Sequence, residues 1–278
     1  MFDLYMQGML NFKDDLNILI TNQKYSDVDE SINFTYDMSD LRLIELRNLY
    51  SLNAIAGNGS DFLKLMRITY WVANHLHFGS LVSTESFHAL DVLNNTQNGV
   101  NSNCFIAATV LTECFLAMNY PARMVRCMPI DLRFNECHCM TVAYAWDEKR
   151  FIAFDSAMGG YYQDSKGRPM NISDIRKAII GRKPFKLRSI FKTNFVNAIE
   201  QYLCKNIVRF QSHQHTKYGN EIKDGSKDVM INLNPTTIHL CNKESMYNGK
   251  TTKHIFIYND SLFWENNEHF FKKSIIKR

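Results

Sequence analysis

Apolar positions along the chain fall into two periods, one near 3.6 residues and one of two. From Ser60-Asp61 onward Phe62, Leu65, Met66, Thr69, Val72, Ala73 and Leu76 recur at intervals of three and four, which predicts a core-facing helix opened by a capping serine. A similar pattern of Leu43, Ile44, Leu46, Leu49 and Tyr50 follows Ser39-Asp40 and ends by Gly57, predicting one earlier helix. The stretch from Cys104 to Met118 contains no breaker and reads as a mostly buried helix. Asn101-Ser102-Asn103 supplies capping residues ahead of it, and Asn119-Tyr120-Pro121 supplies the stop.

Beyond that helix the period shortens. Arg123–Met128 and His138–Ala145 suit strands, and a turn-like Trp146–Arg150 leads into Phe151–Asp155 as the return arm of a hairpin. Gly159-Gly160-Tyr161-Tyr162 reads as an irregular segment. Ser173-Asp174 opens a short helix that runs through Ile180 and closes at Gly181, and a longer helical pattern spans Asn194 to Phe210. Gln211 to Asp228 is polar and reads as a mobile loop. Val229–Leu233, Thr237–Leu240 and His254–Tyr258 read as three strands that either extend the sheet or form a small β appendage. There is no internal repeat, P-loop or dinucleotide fingerprint.

Three chemistry-bearing residues sit at the joints of these elements. Cys104 falls in the first turn of its helix, where unpaired N–H groups and the positive end of the helix dipole favour thiolate over thiol and offer donors to an oxyanion. His138 starts the outgoing strand of the hairpin and Asp155 ends the returning one, so antiparallel pairing brings them close. A carboxylate there can fix the imidazole tautomer, and the imidazole can serve the thiol as its base.

Asn103-Cys104 at a helix start, the segment Tyr120-Pro121-Ala122-Arg123-Met124-Val125 after that helix, His138 at a strand start and Phe154-Asp155 after a hairpin resemble the core of the transglutaminase-like superfamily. The resemblance covers residues 60 to 185. It implies a papain-like α+β fold in which a Cys-bearing helix packs on an antiparallel sheet carrying the His and the Asp, with Cys104 as nucleophile, His138 as base and Asp155 as orienter. Residues 1–60 would then be a helical extension, 61–190 the catalytic core, and 191–278 a helix plus a β-rich extension packed on it. Residues 80 to 103 would approach the cysteine and form one wall of its cleft. Many members follow their Asp with Pro-Thr, whereas this chain has Ser156-Ala157. Asn98, six residues before Cys104, stands where a papain-like enzyme places a Gln as second oxyanion donor.

The reaction implied is attack of a thiolate on an amide carbonyl to give a thioester. Water as acceptor makes a peptidase or amidase, the reading taken here because water needs no dedicated site. An amine as acceptor would make a glutamine transamidase, the same triad could deamidate, and a non-catalytic peptide-binding module on the scaffold is the reading from another class. The expected partner is a peptide or protein substrate.

Composition narrows the remaining classes. A 278-residue chain that is 45% hydrophobic and 22% charged can bury a substantial core. Its net charge of +4 is too mild to argue for nucleic acid or membrane binding. No apolar run approaches the roughly 18 residues that span a bilayer, and Met1-Phe2-Asp3-Leu4 lacks the start of a signal peptide, so a cytoplasmic location is expected. The seven cysteines form an odd, irregularly spaced set that fits reduced thiols. Cys137-His138-Cys139 with Cys127 lacks the Cys-x2-Cys pairing of zinc sites, and strand alternation puts Cys137 and Cys139 on the face opposite His138 as bystanders. The pairs His75-Leu76-His77 and His213-Gln214-His215 read as helix and loop surface residues, so neither metal nor cofactor is expected.

Overall fold

The structure is a computed structural model that describes residues 12–26, 32–78, 86–95, 101–130, 137–191, 196–222, 225, 227–241, 243–247 and 250–264. In chain order its first elements are α1 (Phe12–Thr21), β1 (Thr35–Tyr36), α2 (Leu41–Leu49), α3 (Leu52–Ala56), α4 (Asp61–His75), β2 (His77–Phe78), α5 (Ala89–Asn95), β3 (Asn101–Ser102) and α6 (Cys104–Ala117). There follow β4 (Ala122–Met128), β5 (His138–Ala145), β6 (Arg150–Asp155), β7 (Gly160–Asp164), α7 (Ile172–Ile180), β8 (Phe185–Ser189) and α8 (Val196–Asn206). The last are β9 (Arg209–His213), β10 (His215–Thr216), β11 (Lys227–Leu233), β12 (Lys243–Tyr247), β13 (Lys250–Ile257) and α9 (Asp260–Trp264).

Nine strands form one sheet in the order β12-β13-β11-β9-β4-β5-β6-β7-β8. Every pairing in it is antiparallel except β11 with β13. Alternation on β5 sorts the two faces. Ala143 and Ala145 pack under α6 with Leu111, Phe115 and the apolar stripe of α4, whereas Met140 and Val142 face α7 and α8 on the other side. Two hydroxyl contacts fix α6 on the sheet: Thr141 Oγ1 donates to the Ala108 carbonyl at 2.9 Å and lies 3.2 Å from Thr112 Oγ1. The fold is therefore α+β, with the Cys-bearing helix on an antiparallel sheet.

On the far face Arg123 is 1% exposed. Its guanidinium stacks on Phe34 at 4.0 Å and bonds the Tyr36 hydroxyl at 2.8 Å and the Phe263 carbonyl. A buried cation costs several kcal/mol unless its donors and its charge are met, and here aromatic faces meet the charge and oxygen acceptors meet both terminal nitrogens, while Nε has no acceptor among the described residues.

The expected helix after Ser39-Asp40 divides in two, because Ser51 adopts a left-handed conformation at φ 52°. Asp40 caps α2 as expected, but Ile44 and Leu49 are exposed, and Leu43 and Leu46 are the residues that reach the core. Ser60 caps α4, and Leu65, Thr69, Val72, Ala73 and Leu76 of its stripe are buried as expected, together with Ile68, while Phe62 and Met66 are half-buried. The approach to Cys104 holds a helix the sequence pattern did not suggest, α5, which buries Ala89, Leu90, Val92 and Leu93. Gly160 begins a strand rather than an irregular segment: Gly159 turns the chain at φ +71°, and a Cβ on Gly160 would lie 1.7 Å from the Arg188 carbonyl oxygen, so only glycine lets β8 come this close.

The short helix α7 is capped by Asn171 and Asp174 in a capping box, two residues ahead of the expected Ser173. The longer helix stops at Asn206, and Arg209–His213 enters the sheet between β4 and β11. The segment expected to be a mobile loop thus contributes β9, β10 and a turn that buries Tyr218 and Glu221. Thr237–Leu240 is not a strand, while Lys243–Tyr247 is, and the C-terminal strands extend the sheet through β9. No helix among the described residues is long and apolar enough to cross a membrane.

Candidate active site

Asn103 opens α6 by accepting the Ile106 N–H on its side-chain oxygen at 3.0 Å, and its carbonyl takes the Ala107 N–H. The N–H groups of Cys104 and Phe105 are left at the positive end of a fourteen-residue helix, beside a half-buried thiol. Cys104 Sγ lies 3.6 Å from the Cys137 carbonyl oxygen, at the point where β5 begins.

His138 and Asp155 stand on the opposite face of the sheet from α6. His138 Nε2 is 2.7 Å from Asp155 Oδ2, and both residues are buried. Asp155 is held from two further sides: the Tyr162 hydroxyl donates to Oδ2 at 2.8 Å, and the Met158 N–H donates to Oδ1 at 3.0 Å. Tyr202 from α8 sets its ring edge to face against the imidazole, with centroids 5.2 Å apart. With Nε2 committed to the carboxylate, Nδ1 is the nitrogen left for the thiol; it is buried and makes no well-aligned hydrogen bond to a described residue. Because His138 is the first residue of its strand, the imidazole lies at the end of the sheet where Cys104 Sγ meets the Cys137 carbonyl from the other side.

The electrostatics follow from these contacts. The Cys139 thiol, hydrogen-bonded to Cys104, is the largest influence holding the Cys104 thiol well below its ordinary range; burial opposes it, and His138 and the Cys139 backbone N–H add to the lowering. Burial works against a charged His138, yet Asp155 outweighs it and pushes the imidazole up to about 10. Burial and the adjacent carboxylate push the Tyr162 phenol well up, so it stays a donor to Asp155. Both shifts favour a thiolate beside an imidazolium over the neutral pair.

The three residues singled out in the sequence are thus gathered at one end of the sheet, while Asn98 lies outside the described residues. One neighbour went unnoticed, and two others were read as bystanders. Tyr162 would have been found by reading Gly159-Gly160 as a hairpin turn, since Asp155 pairs with Gly160 and alternation then puts Tyr162 on the same face. Cys137 and Cys139 do lie opposite His138, but α6 packs on their face, so they touch the Cys104 region instead of standing away from it. Cys137 Sγ and Cys139 Sγ are 3.8 Å apart.

The histidines considered as metal ligands go elsewhere. His75 Nδ1 is 2.8 Å from the Trp71 carbonyl oxygen, and His215 Nδ1 is 2.6 Å from Thr35 Oγ1. His213 is not on the surface: it is buried with Nε2 2.8 Å from Glu221 and Nδ1 2.6 Å from Asp228, and Arg126 holds the same Glu221 oxygen at 3.0 Å. Among the described residues no group of three or more His, Cys, Asp and Glu side chains is arranged to hold a metal ion.

No protein-family model matches the chain, and no curated protein does. Solved structures similar to it include the "Putative Cysteine Protease from Cytophaga hutchinsonii", at 18% identity and a TM-score of 0.31 over 59% of this chain and 53% of that one. A second, the "putative protease from Parabacteroides distasonis", has 14% identity and a TM-score of 0.28 over 40% and 25% of the two chains. The red sea bream transglutaminase has 13% identity and a TM-score of 0.34 over 70% and 37%. The chain spans about half or less of the length of these proteins. Likeness at this level carries no argument about activity, which has to rest on the residues themselves.

Proposed function

We propose that the chain is a transglutaminase-like cysteine hydrolase, a peptidase or amidase that cleaves a peptide-like amide through a thioester. The observation that carries this reading is the buried His138–Asp155 bond at 2.7 Å beside a half-buried thiol at a helix start. Cys104 thiolate attacks the amide carbonyl, and the oxyanion develops against the first N–H groups of α6. His138 imidazolium protonates the departing amine, then as neutral imidazole takes a proton from water, whose oxygen attacks the thioester. Asp155 stabilises the imidazolium and, held by Tyr162 and Met158 N–H, fixes the ring so that Nδ1 serves the sulfur. Glutamine deamidation or transamidation would use the same first step.

Incubating the protein with a peptide library, with and without a primary amine, and reading products by mass separates the outcomes. Cleavage supports the hydrolase, and side-chain deamidation or amine incorporation makes it a glutamine deamidase or transamidase instead. Peptide retention without turnover makes it a binding module. Cys104→Ala must be silent for any catalytic result to count.

A further inference from the structure

Of the seven free cysteines, three meet at one place: Cys104, Cys137 and Cys139 pack with Ala108, Met124 and Phe105 into a small cluster of their own. Cys104 and Cys137 are half-buried and both pack against the cluster that holds Cys139, which is 1% exposed. The Cys139 sulfur is 3.8 Å from that of Cys137. A nucleophilic cysteine needs no thiol companions for amide chemistry, and a core needs no cysteines in preference to alanine or valine. Two further sulfurs beside a thiolate are what a reversible oxidation site needs.

We propose that Cys104 and Cys139 form a reversible disulfide under peroxide, with Cys137 assisting as proton acceptor, so that oxidation switches the site off without destroying it. The inference rests on the reading of Cys104 as the nucleophilic thiol. In the first step the Cys104 thiolate attacks a peroxide oxygen, the O–O bond breaks, and the departing hydroxide takes the His138 proton and leaves as water, giving a sulfenic acid. In the second the Cys139 sulfur attacks the Cys104 sulfur and the S–O bond breaks. The Cys139 proton, relayed through Cys137, leaves with that hydroxide as a second water. Peroxide is reduced and the two sulfurs are oxidised. A dithiol reverses the change by exchange.

The ionisation pattern is what these steps require. The hydrogen bond from Cys139 also lowers the Cys137 thiol, while its hydrogen bonds to both neighbours and its burial raise Cys139 well above the ordinary range. Cys139 therefore keeps its proton until an electrophilic sulfur forms beside it, and Cys137 is the adjacent base.

The test uses the full chain, limiting hydrogen peroxide, and non-reducing digestion with mass spectrometry. The expected product joins the peptide that carries Cys104 to the one that carries Cys139, two hydrogens lighter than the separate peptides, and dithiothreitol reverses it. The link persists in Cys137→Ser and is lost in Cys139→Ser, where Cys104 proceeds to sulfinic acid. Because Cys139 is buried, a dimedone time course on the unmutated protein provides a variant-free readout: the trapped sulfenic adduct at Cys104 should decline as the linked peptide grows. A sulfenic acid that never gives a linked peptide, or a link formed equally well in Cys139→Ser, overturns the proposal. Preferential alkylation of Cys104 near pH 6 without linkage removes this inference alone, whereas uniform slow alkylation of all thiols removes the nucleophile reading with it.

Discussion

His138 and His213 are both buried, both paired to carboxylates and both raised in pKa, yet they are built for different ends. His213 has a carboxylate oxygen within 2.8 Å of each nitrogen, and Arg126 shares one of them, so both nitrogens face charge and neither faces a thiol. His138 has one nitrogen committed and the other turned to the thiol end of the sheet. Burial and a raised pKa mark both; the nitrogen turned to a half-buried sulfur marks one of them as the candidate for chemistry. A strongly perturbed group is therefore a weak guide to a site until its remaining valence is counted.

The largest expected difference comes from removing each ring. His138→Ala should lower turnover by about 10²- to 10⁴-fold and slow alkylation of Cys104 near pH 6, and because it leaves Asp155 buried without its cation it should also cost about 3–5 kcal/mol in denaturant unfolding. His213→Leu should leave Cys104 alkylation unchanged and cost about 3–5 kcal/mol in denaturant unfolding, because Asp228 and Glu221 both lose the buried imidazolium and Glu221 keeps Arg126. If His213→Leu slowed the alkylation as much as His138→Ala did, the distinction would be wrong.

Next in size is Asp155→Asn, which keeps the shape but removes the charge that raises His138. Turnover should fall by about 10²-fold, and the acid limb of Cys104 alkylation, followed against pH, should move upward. Tyr162→Phe removes one of three bonds to Asp155, and a change of about 1 kcal/mol, roughly fivefold in rate, is expected from steady-state kinetics.

The smallest effect is on stability against pH. A raised histidine stabilises fully below its ordinary value of 6.5 and loses that contribution as pH climbs through the raised one, which for His138 is about 10. His213 acts in the same sense, so unfolding free energy should decline from neutral toward alkaline pH, and less steeply in His213→Leu. Urea unfolding at intervals between pH 6 and 10 measures both slopes.

The sequence told these two histidines apart only in part. His138 was legible because its element was: α6, β5 and β6 have breakers, caps and turns at both ends, and each is specified by neighbours close in the chain. His213 was misread because Ile207-Val208 and Phe210 prolong a helical-looking apolar pattern past Asn206, where the chain in fact crosses into the sheet. What decides that crossing is pairing with β4, more than eighty residues earlier, and local periodicity carries no trace of it. Cys139 was misjudged for a related reason. Alternation placed it correctly relative to His138, but which face of the strand receives α6 is a tertiary choice.

The Arg123 guanidinium has a consequence in time. Its stacking partner Phe34 lies 89 positions before it, and its acceptor on Phe263 lies 140 positions after it. During synthesis that charge has no completed pocket until residue 263 has left the ribosome, so the strand that adjoins β5 cannot settle in its final form while the chain is still short. Final ordering of β4 beside β5 should consequently come late in synthesis, a delay that comes from chain order alone.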